Sequence, residues 1–168
     1  KQILTTIGPG VGKGDVWRFD LERNLLTRLT FVENVAQVFW SPDGQKMVYN
    51  TDAIPGQLLL QAIDGRTLPQ PIRDFGLETI IGDFAPDGSG LLMSEYGHPE
   101  SNIVFVALDG SSDPRIVVDE PGPQYAASMS PNGKWIAYGS DVRGGEPEVF
   151  VRRFEGGPAK WQVSNDGG

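Results

Sequence analysis

The sequence predicts an all-β chain, a segment of about four four-stranded antiparallel blades of a β-propeller, on three observations. A Pro-Asp-Gly turn recurs at a near-constant interval, a second Gly turn recurs about 20 residues after each copy, and no segment of ten or more residues combines helical periodicity with caps. The first turn is Trp40-Ser41-Pro42-Asp43-Gly44, then Phe84-Ala85-Pro86-Asp87-Gly88, then Met129-Ser130-Pro131-Asn132-Gly133, with prolines 44 and 45 residues apart. Periods of about 40 to 50 residues holding four short strands mark propellers. Proline presets φ at the first central position, Asp or Asn accepts a backbone N–H, and glycine supplies the positive φ that ends the loop.

Strands flank each copy of this turn. Before it lie residues 35–41, 79–85 and 125–130, and after it residues 46–51, 91–95 and 135–140. The second turn is Ile63-Asp64-Gly65, Leu108-Asp109-Gly110 and Phe154-Glu155-Gly156, with Leu21-Glu22-Arg23 as a degenerate first copy. It separates third strands beginning at Val16, Leu58, Ile103 and Val149 from fourth strands at 25–30, 71–73, 115–118 and 160–164. The units are 1–34, which lacks only its first strand, then 35–78, 79–124 and 125–168. Three turns and fifteen strands make almost four blades, so the chain is expected to be part of a propeller of six to eight. Its outer blade faces are then open, which predicts self-association through them.

Composition narrows the function classes. Gly and Pro make about a fifth of the 168 residues, which suits a turn-rich β chain. A net charge of −8 with scattered basic residues argues against a nucleic-acid partner, because phosphate binding relies on clustered Lys and Arg. The absence of cysteine excludes disulfides and thiolate chemistry. No apolar run approaches the ~20 residues of a membrane span, so a membrane is reached only through a segment outside this chain.

No catalytic, cofactor or metal constellation stands out, and none is expected. Gly8-Pro9-Gly10-Val11-Gly12-Lys13-Gly14 misses the phosphate-loop spacing, with Ile7 where a glycine is needed and Gly14 after the lysine, so it reads as a flexible inter-strand loop. His98 is the single histidine and reads as an exposed loop residue. Tyr138-Gly139-Ser140-Asp141 lacks the first glycine of a nucleophile elbow. Trp40, Phe84 and Met129 share one aligned position, as do Met47, Leu91 and Ile136, and Tyr49, Met93 and Tyr138; these are core layers between blades. Asp52, Glu95 and Asp141 end second strands and would share one propeller face. The loops there, 52–57, 96–102 and 141–146, vary most between units and are the expected binding surface, with Tyr96, His98 and Arg143 among their residues. Trp17 and Trp161 fall outside the core layers and are the aromatic candidates for contact.

At these residues the chain resembles the propeller repeats of the TolB-like, WD-like superfamily, found also in tricorn-type and prolyl oligopeptidase-type peptidases and in bacterial sensors. The last unit carries the most specific likeness, from Met129-Ser130-Pro131-Asn132-Gly133-Lys134-Trp135-Ile136-Ala137-Tyr138 to Lys160-Trp161-Gln162-Val163-Ser164. That unit is similar to propellers C-terminal to the kinase domain of bacterial membrane-associated serine/threonine kinases. The resemblance implies a non-catalytic sensor or scaffold on the extracytoplasmic, periplasmic side of a bacterial membrane, holding a protein or small-molecule ligand. The alternatives are a substrate-gating propeller of a prolyl oligopeptidase- or tricorn-type peptidase, and a free periplasmic TolB-like scaffold. Ala85 departs from the serine of the other turns, and Tyr96 stands where other units have Asp52 and Asp141, so the resemblance implies no shared acidic ring.

Overall fold

A computed structural model describes residues 1–10, 13–53, 55–75, 78–96, 101–141, 146–165 and 167. His98 and Arg143 lie outside them. The described residues form strands and turns, with no helix.

The strands are β1 (Gln2–Gly10), β2 (Lys13–Asp20), β3 (Leu25–Arg28), β4 (Val35–Trp40), β5 (Lys46–Thr51), β6 (Gly56–Ala62), β7 (Gln70–Phe75) and β8 (Glu78–Phe84). They continue as β9 (Gly90–Tyr96), β10 (Asn102–Ala107), β11 (Arg115–Val118), β12 (Gln124–Met129), β13 (Trp135–Ser140), β14 (Glu148–Arg153) and β15 (Lys160–Gln162). Each sheet is an antiparallel meander in chain order: β1-β2-β3, β4-β5-β6-β7, β8-β9-β10-β11 and β12-β13-β14-β15. The first has three strands, as its missing first strand predicts. We call these sheets blades 1 to 4.

The chain divides into two compact units, residues 1–76 with blades 1 and 2, and residues 77–168 with blades 3 and 4. In the first, Leu4, Val16 and Leu29 of blade 1 pack with Val35, Met47, Tyr49 and Leu59 of blade 2. In the second, Leu92, Ile103 and Val118 of blade 3 pack with Met129, Ile136, Tyr138 and Phe150 of blade 4. Side chains alternate across a pleated strand, so each of these sets is one face of its blade. The aligned core layers are buried as expected, except that Trp40 is only half-buried.

The recurring turn forms as its residues dictate. Gly44 N–H donates to the Ser41 carbonyl (2.8 Å), while Asp43 Oδ1 accepts from Gln45 N–H (2.9 Å) and the Ser41 hydroxyl (2.5 Å). Ser41 Oγ also accepts from Lys46 N–H (2.9 Å), tying the turn to the next strand. Ser130, Asn132 and Trp135 repeat this pattern in blade 4. Blade 3 has Ala85 in the serine position, and there the Ser89 hydroxyl supplies the donor to Asp87 (2.7 Å). Gly44, Gly88 and Gly133 all have φ near +70° (69°, 74° and 69°), which a side chain would strain.

The glycine-rich segment is a correction. Gly8 to Gly10 belong to β1, and Lys13 and Gly14 to β2, so the hairpin strands run on where a flexible loop is expected. Backbone meets backbone there: a Cβ on Gly14 would lie 2.8 Å from the Ile7 carbonyl oxygen, and one on Gly8 would overlap Lys13. The glycines are needed for this approach, and none serves a phosphate.

Candidate functional site

Every blade has two ends. The turn end carries the Pro-Asp-Gly and second turns, and the loop end carries the connections from second to third strand.

At the turn end, polar atoms are satisfied by their own turns. Asp64 accepts from Arg66 N–H (2.9 Å) and Asp109 from Ser111 N–H (3.0 Å), as Asp43 and Asp87 accept from their neighbours. These donors hold all four carboxyls below the usual aspartate range: chiefly the Ser41 hydroxyl for Asp43, Arg66 N–H for Asp64, Ser89 N–H for Asp87 and the Ser111 hydroxyl for Asp109. A cleft of about 430 Å³ lies between the two first turns of the second unit, over Ala85, Met129 and Phe154. Its floor side chains are buried, Phe154 by an edge contact with Phe105 (5.1 Å) and by Arg115 stacked at 4.6 Å, so little apolar surface remains there for a ligand.

The loop end differs. In blade 4, Tyr125 lies across Gly139, where a Cβ would come within 2.5 Å of the ring. Its hydroxyl is buried with no hydrogen-bond partner, and so is Asp141 Oδ1. Burial, and then the neighbouring Asp141 charge, push the Tyr125 hydroxyl upward. Ser140 Oγ and Gln124 Oε1 are likewise buried and unpartnered, as are Ser94 Oγ and Asn102 Oδ1 in blade 3. Blades 3 and 4 are joined beside them by Ser101 Oγ, which donates to the Gln124 carbonyl and accepts from Gln124 N–H, both at 2.9 Å.

The loop end of blade 1 holds a cleft of about 470 Å³ lined by Ile7, Lys13, Asp15, Trp17, Arg28 and Glu33, with Gly8 and Pro9 at its edge. Asp15 is buried beneath it, accepting from the Thr30 hydroxyl (2.7 Å), Val32 N–H (2.8 Å) and Arg28 Nη2. Burial pushes its carboxyl up, but the Thr30, Glu33, Val32 and Arg28 donors together outweigh that and leave it below the usual range. Arg28 is stacked 4.7 Å above the Phe31 ring.

Of the residues singled out in the sequence, Trp17 therefore lines a cleft and Asp141 meets Tyr125. Asp52 and Asp141 hold equivalent positions, their N–H groups donating to Asn34 and Pro123 carbonyls just before the first strand (2.7 and 3.2 Å). Asp52 itself is exposed. Glu95 and Tyr96 are half-buried at the end of β9. Trp161 lies on the outer face of blade 4, packed edge-on against Trp135 (5.7 Å), which in turn carries Arg153 at 5.0 Å. Among the described residues no group of three His, Cys, Asp or Glu side chains could hold a metal ion.

Sequence reading missed Tyr125, Asp15 and the Trp135–Arg153 stack. Asp15 had a signal, because it aligns with Glu148, and each carboxylate takes a hydroxyl proton from the end of its fourth strand, Thr30 or Ser164. The same hydroxyls accept from Val16 and Val149 N–H (2.8 and 2.7 Å), so the acid and hydroxyl pair is a repeated strand clasp.

No family model matches the chain, and no curated protein does. Solved structures do. TolB from Acinetobacter baumannii superposes with a TM-score of 0.80 at 20% identity, over 99% of this chain and 42% of that one. A prolyl endopeptidase structure gives 0.70 at 14% identity, over 99% and 28%, and the tricorn protease 0.69 at 13%, over 98% and 18%. The chain thus spans less than half the length of these proteins. The likeness is one of fold: all-β, with antiparallel blades that match part of larger propellers of the TolB-like kind.

Proposed function

We propose that this chain is a non-catalytic binding propeller that holds a protein or small-molecule ligand at its loop end, as the extracytoplasmic sensor or scaffold part of a bacterial receptor-type protein. One observation carries the reading. Hydrogen-bonding groups at the turn end are used within the turns, whereas the loop end keeps buried acceptors without partners, at Tyr125, Ser140 and Asp141. A buried polar atom left unpaired costs about 1–3 kcal/mol, which a ligand with matching donors would recover. The cleft beside Trp17 adds an aromatic wall and charged Lys13, Arg28 and Glu33, and its volume lies within the roughly 300–1,000 Å³ of small-ligand sites. The compartment and the kinase association rest on the sequence resemblance alone.

The test is photocrosslinking from the full-length protein in its own cells, with the crosslinker at Trp17 or Glu95 and, as control, at Asp109 on a turn. The proposal expects discrete adducts from loop-end positions that fade with Asp141→Ala in the Glu95 protein. Equal adducts from Asp109 overturn it.

The fold likeness to peptidase propellers favours a second reading, substrate gating for a separate catalytic domain. A serine-hydrolase probe that labels the full-length protein supports gating. Autophosphorylation from ATP supports the receptor-kinase reading.

A further inference from the structure

The two outer blade faces are not equivalent, and their residues match one another as neighbouring blades do. In blade 2, Tyr49 lies opposite Leu59 and Met47 opposite Gln61. In blade 1, Thr5 lies opposite Trp17 and Ile3 opposite Phe19. With the third strands aligned at Val16 and Leu58, Ile3, Thr5, Trp17 and Phe19 are the counterparts of Met47, Tyr49, Leu59 and Gln61. Blade 2 buries that face against Leu4, Val16 and Leu29 of blade 1. Blade 1 leaves it open: Ile3 is 48% exposed and Leu26, beside Phe19, 44%.

Blade 4 presents the opposite kind of face. Tyr138 pairs with Phe150, which places Ala137, Val149 and Val151 at the positions of Leu4, Val16 and Arg18 in blade 1. In the first unit that face is the one that packs on the next blade. In blade 4 it is open, built from Trp135, Ala137, Val151 and Trp161, with Trp161 49% exposed.

We propose that the occupant of each open face is a second copy of this chain, joined head to tail, with blade 4 of one copy packed on blade 1 of the other. The repeat itself supplies the complementarity, since the two faces are of the kinds that already pack within each unit. Charge agrees with it. Arg18 reaches across its own blade interface to donate to the Ile63 carbonyl at the second turn of blade 2 (2.9 Å). The corresponding turn of blade 1 is Leu21-Glu22-Arg23, preceded by Asp20, and the basic residue at that edge of blade 4 is Arg153. A blade face of four strands, each about six residues long, covers roughly 400 Å² in projection. That places the contact at the small end of specific interfaces and predicts dissociation constants on the order of micromolar. Such a heterologous contact either closes a ring or runs on as a filament, and both outcomes support it.

The experiment is sedimentation velocity on the 168-residue chain and two variants, each shown to be folded by circular dichroism. Ile3→Lys spoils the blade 1 face, and Trp161→Lys the blade 4 face, both at exposed positions. The wild-type chain is expected to associate with rising concentration, and each variant alone to stay monomeric. An equimolar mixture is expected to give a one-to-one heterodimer, because the good blade 4 face of one meets the good blade 1 face of the other. A wild-type chain that remains monomeric at about 100 μM, far above the expected constant, overturns the proposal. So does a single variant that still dimerises, which would mean face-to-like-face pairing, or a mixture that forms no heterodimer.

Discussion

At the turn end of blades 2 and 4, a serine hydroxyl, an Asx oxygen and a glycine N–H close a ring of hydrogen bonds within five residues. At the loop end of blade 4, Tyr125, Ser140 and Asp141 each keep a buried polar atom without a partner. The turn end is built for stability, and its sequence repeats because the same bonds are needed in each copy. The loop end changes from blade to blade and leaves acceptors free, which suits recognition.

The largest expected effect lies just inside the turn end, where the innermost strands of blades 3 and 4 touch. Asp83 Oδ2 accepts from the Ser128 hydroxyl (2.9 Å) and Met129 N–H (3.0 Å), and Oδ1 from Phe84 N–H (2.9 Å). Hydrogen bonds to a charged group are worth about 1.5–3 kcal/mol, so Asp83→Ala should cost about 3 kcal/mol in urea denaturation. Its neighbour Gly82 has no room for a side chain, since a Cβ would lie 2.4 Å from the Ala127 carbonyl oxygen. Gly82→Val should cost at least as much, about 3 kcal/mol, by overpacking backbone against backbone. Losses below about 1 kcal/mol in both variants would mean that the strand ends beside the turns contribute little.

Next come the turns themselves. Gly44→Ala places a side chain at φ of 69° and should cost about 1–2 kcal/mol. Asp43→Asn should be nearly neutral at pH 7, because Asn132 performs the same role in blade 4 (3.0 Å to Lys134 N–H).

The pH dependence separates these cases further. Asp43, Asp64, Asp87 and Asp109 have carboxyls held low in the folded chain. Their contribution is present above the unfolded aspartate value near 3.9 and is lost as pH falls through the lower folded values. Asp43→Asn should therefore flatten acid unfolding below about pH 4. In alkali the sign reverses: burial raises Tyr49 and Tyr138 to about 12, so their contribution is full below the unfolded value near 10 and lost as pH climbs through about 12. Tyrosine absorbance and far-ultraviolet dichroism, titrated together, should change in that upper window.

The smallest effects are expected at the loop end. Ser140→Ala and Tyr125→Phe each remove a buried oxygen that bonds to nothing in the chain. Both should leave stability within about 0.5 kcal/mol of wild type or raise it, because an unpaired buried hydroxyl is itself a cost.

How much of this was legible in the sequence follows the same division. The turns could be read because Pro42, Asp43 and Gly44 act through local backbone geometry, and the core layers because Met47, Tyr49, Ile136 and Tyr138 repeat with the blade period. The Gly8 segment was misread because close backbone approach and loop freedom call for the same residue. Tyr125 escaped notice since its neighbours Gly139 and Asp141 come from another strand, and partners across a sheet carry no local signature. Asp15 looked like an isolated acid, although its counterpart Glu148 was within reach of the same alignment.

The most direct test of the contrast between the two ends is a matched pair of urea denaturations in blades 3 and 4, Asp87→Ala against Tyr125→Phe. Removing Asp87, which accepts from Ser89 N–H and its hydroxyl (3.0 and 2.7 Å), should lower the unfolding midpoint clearly, while Tyr125→Phe leaves it unchanged or raises it. A Tyr125→Phe loss equal to that of Asp87→Ala would contradict the account, because the loop-end hydroxyl would then be holding the fold together.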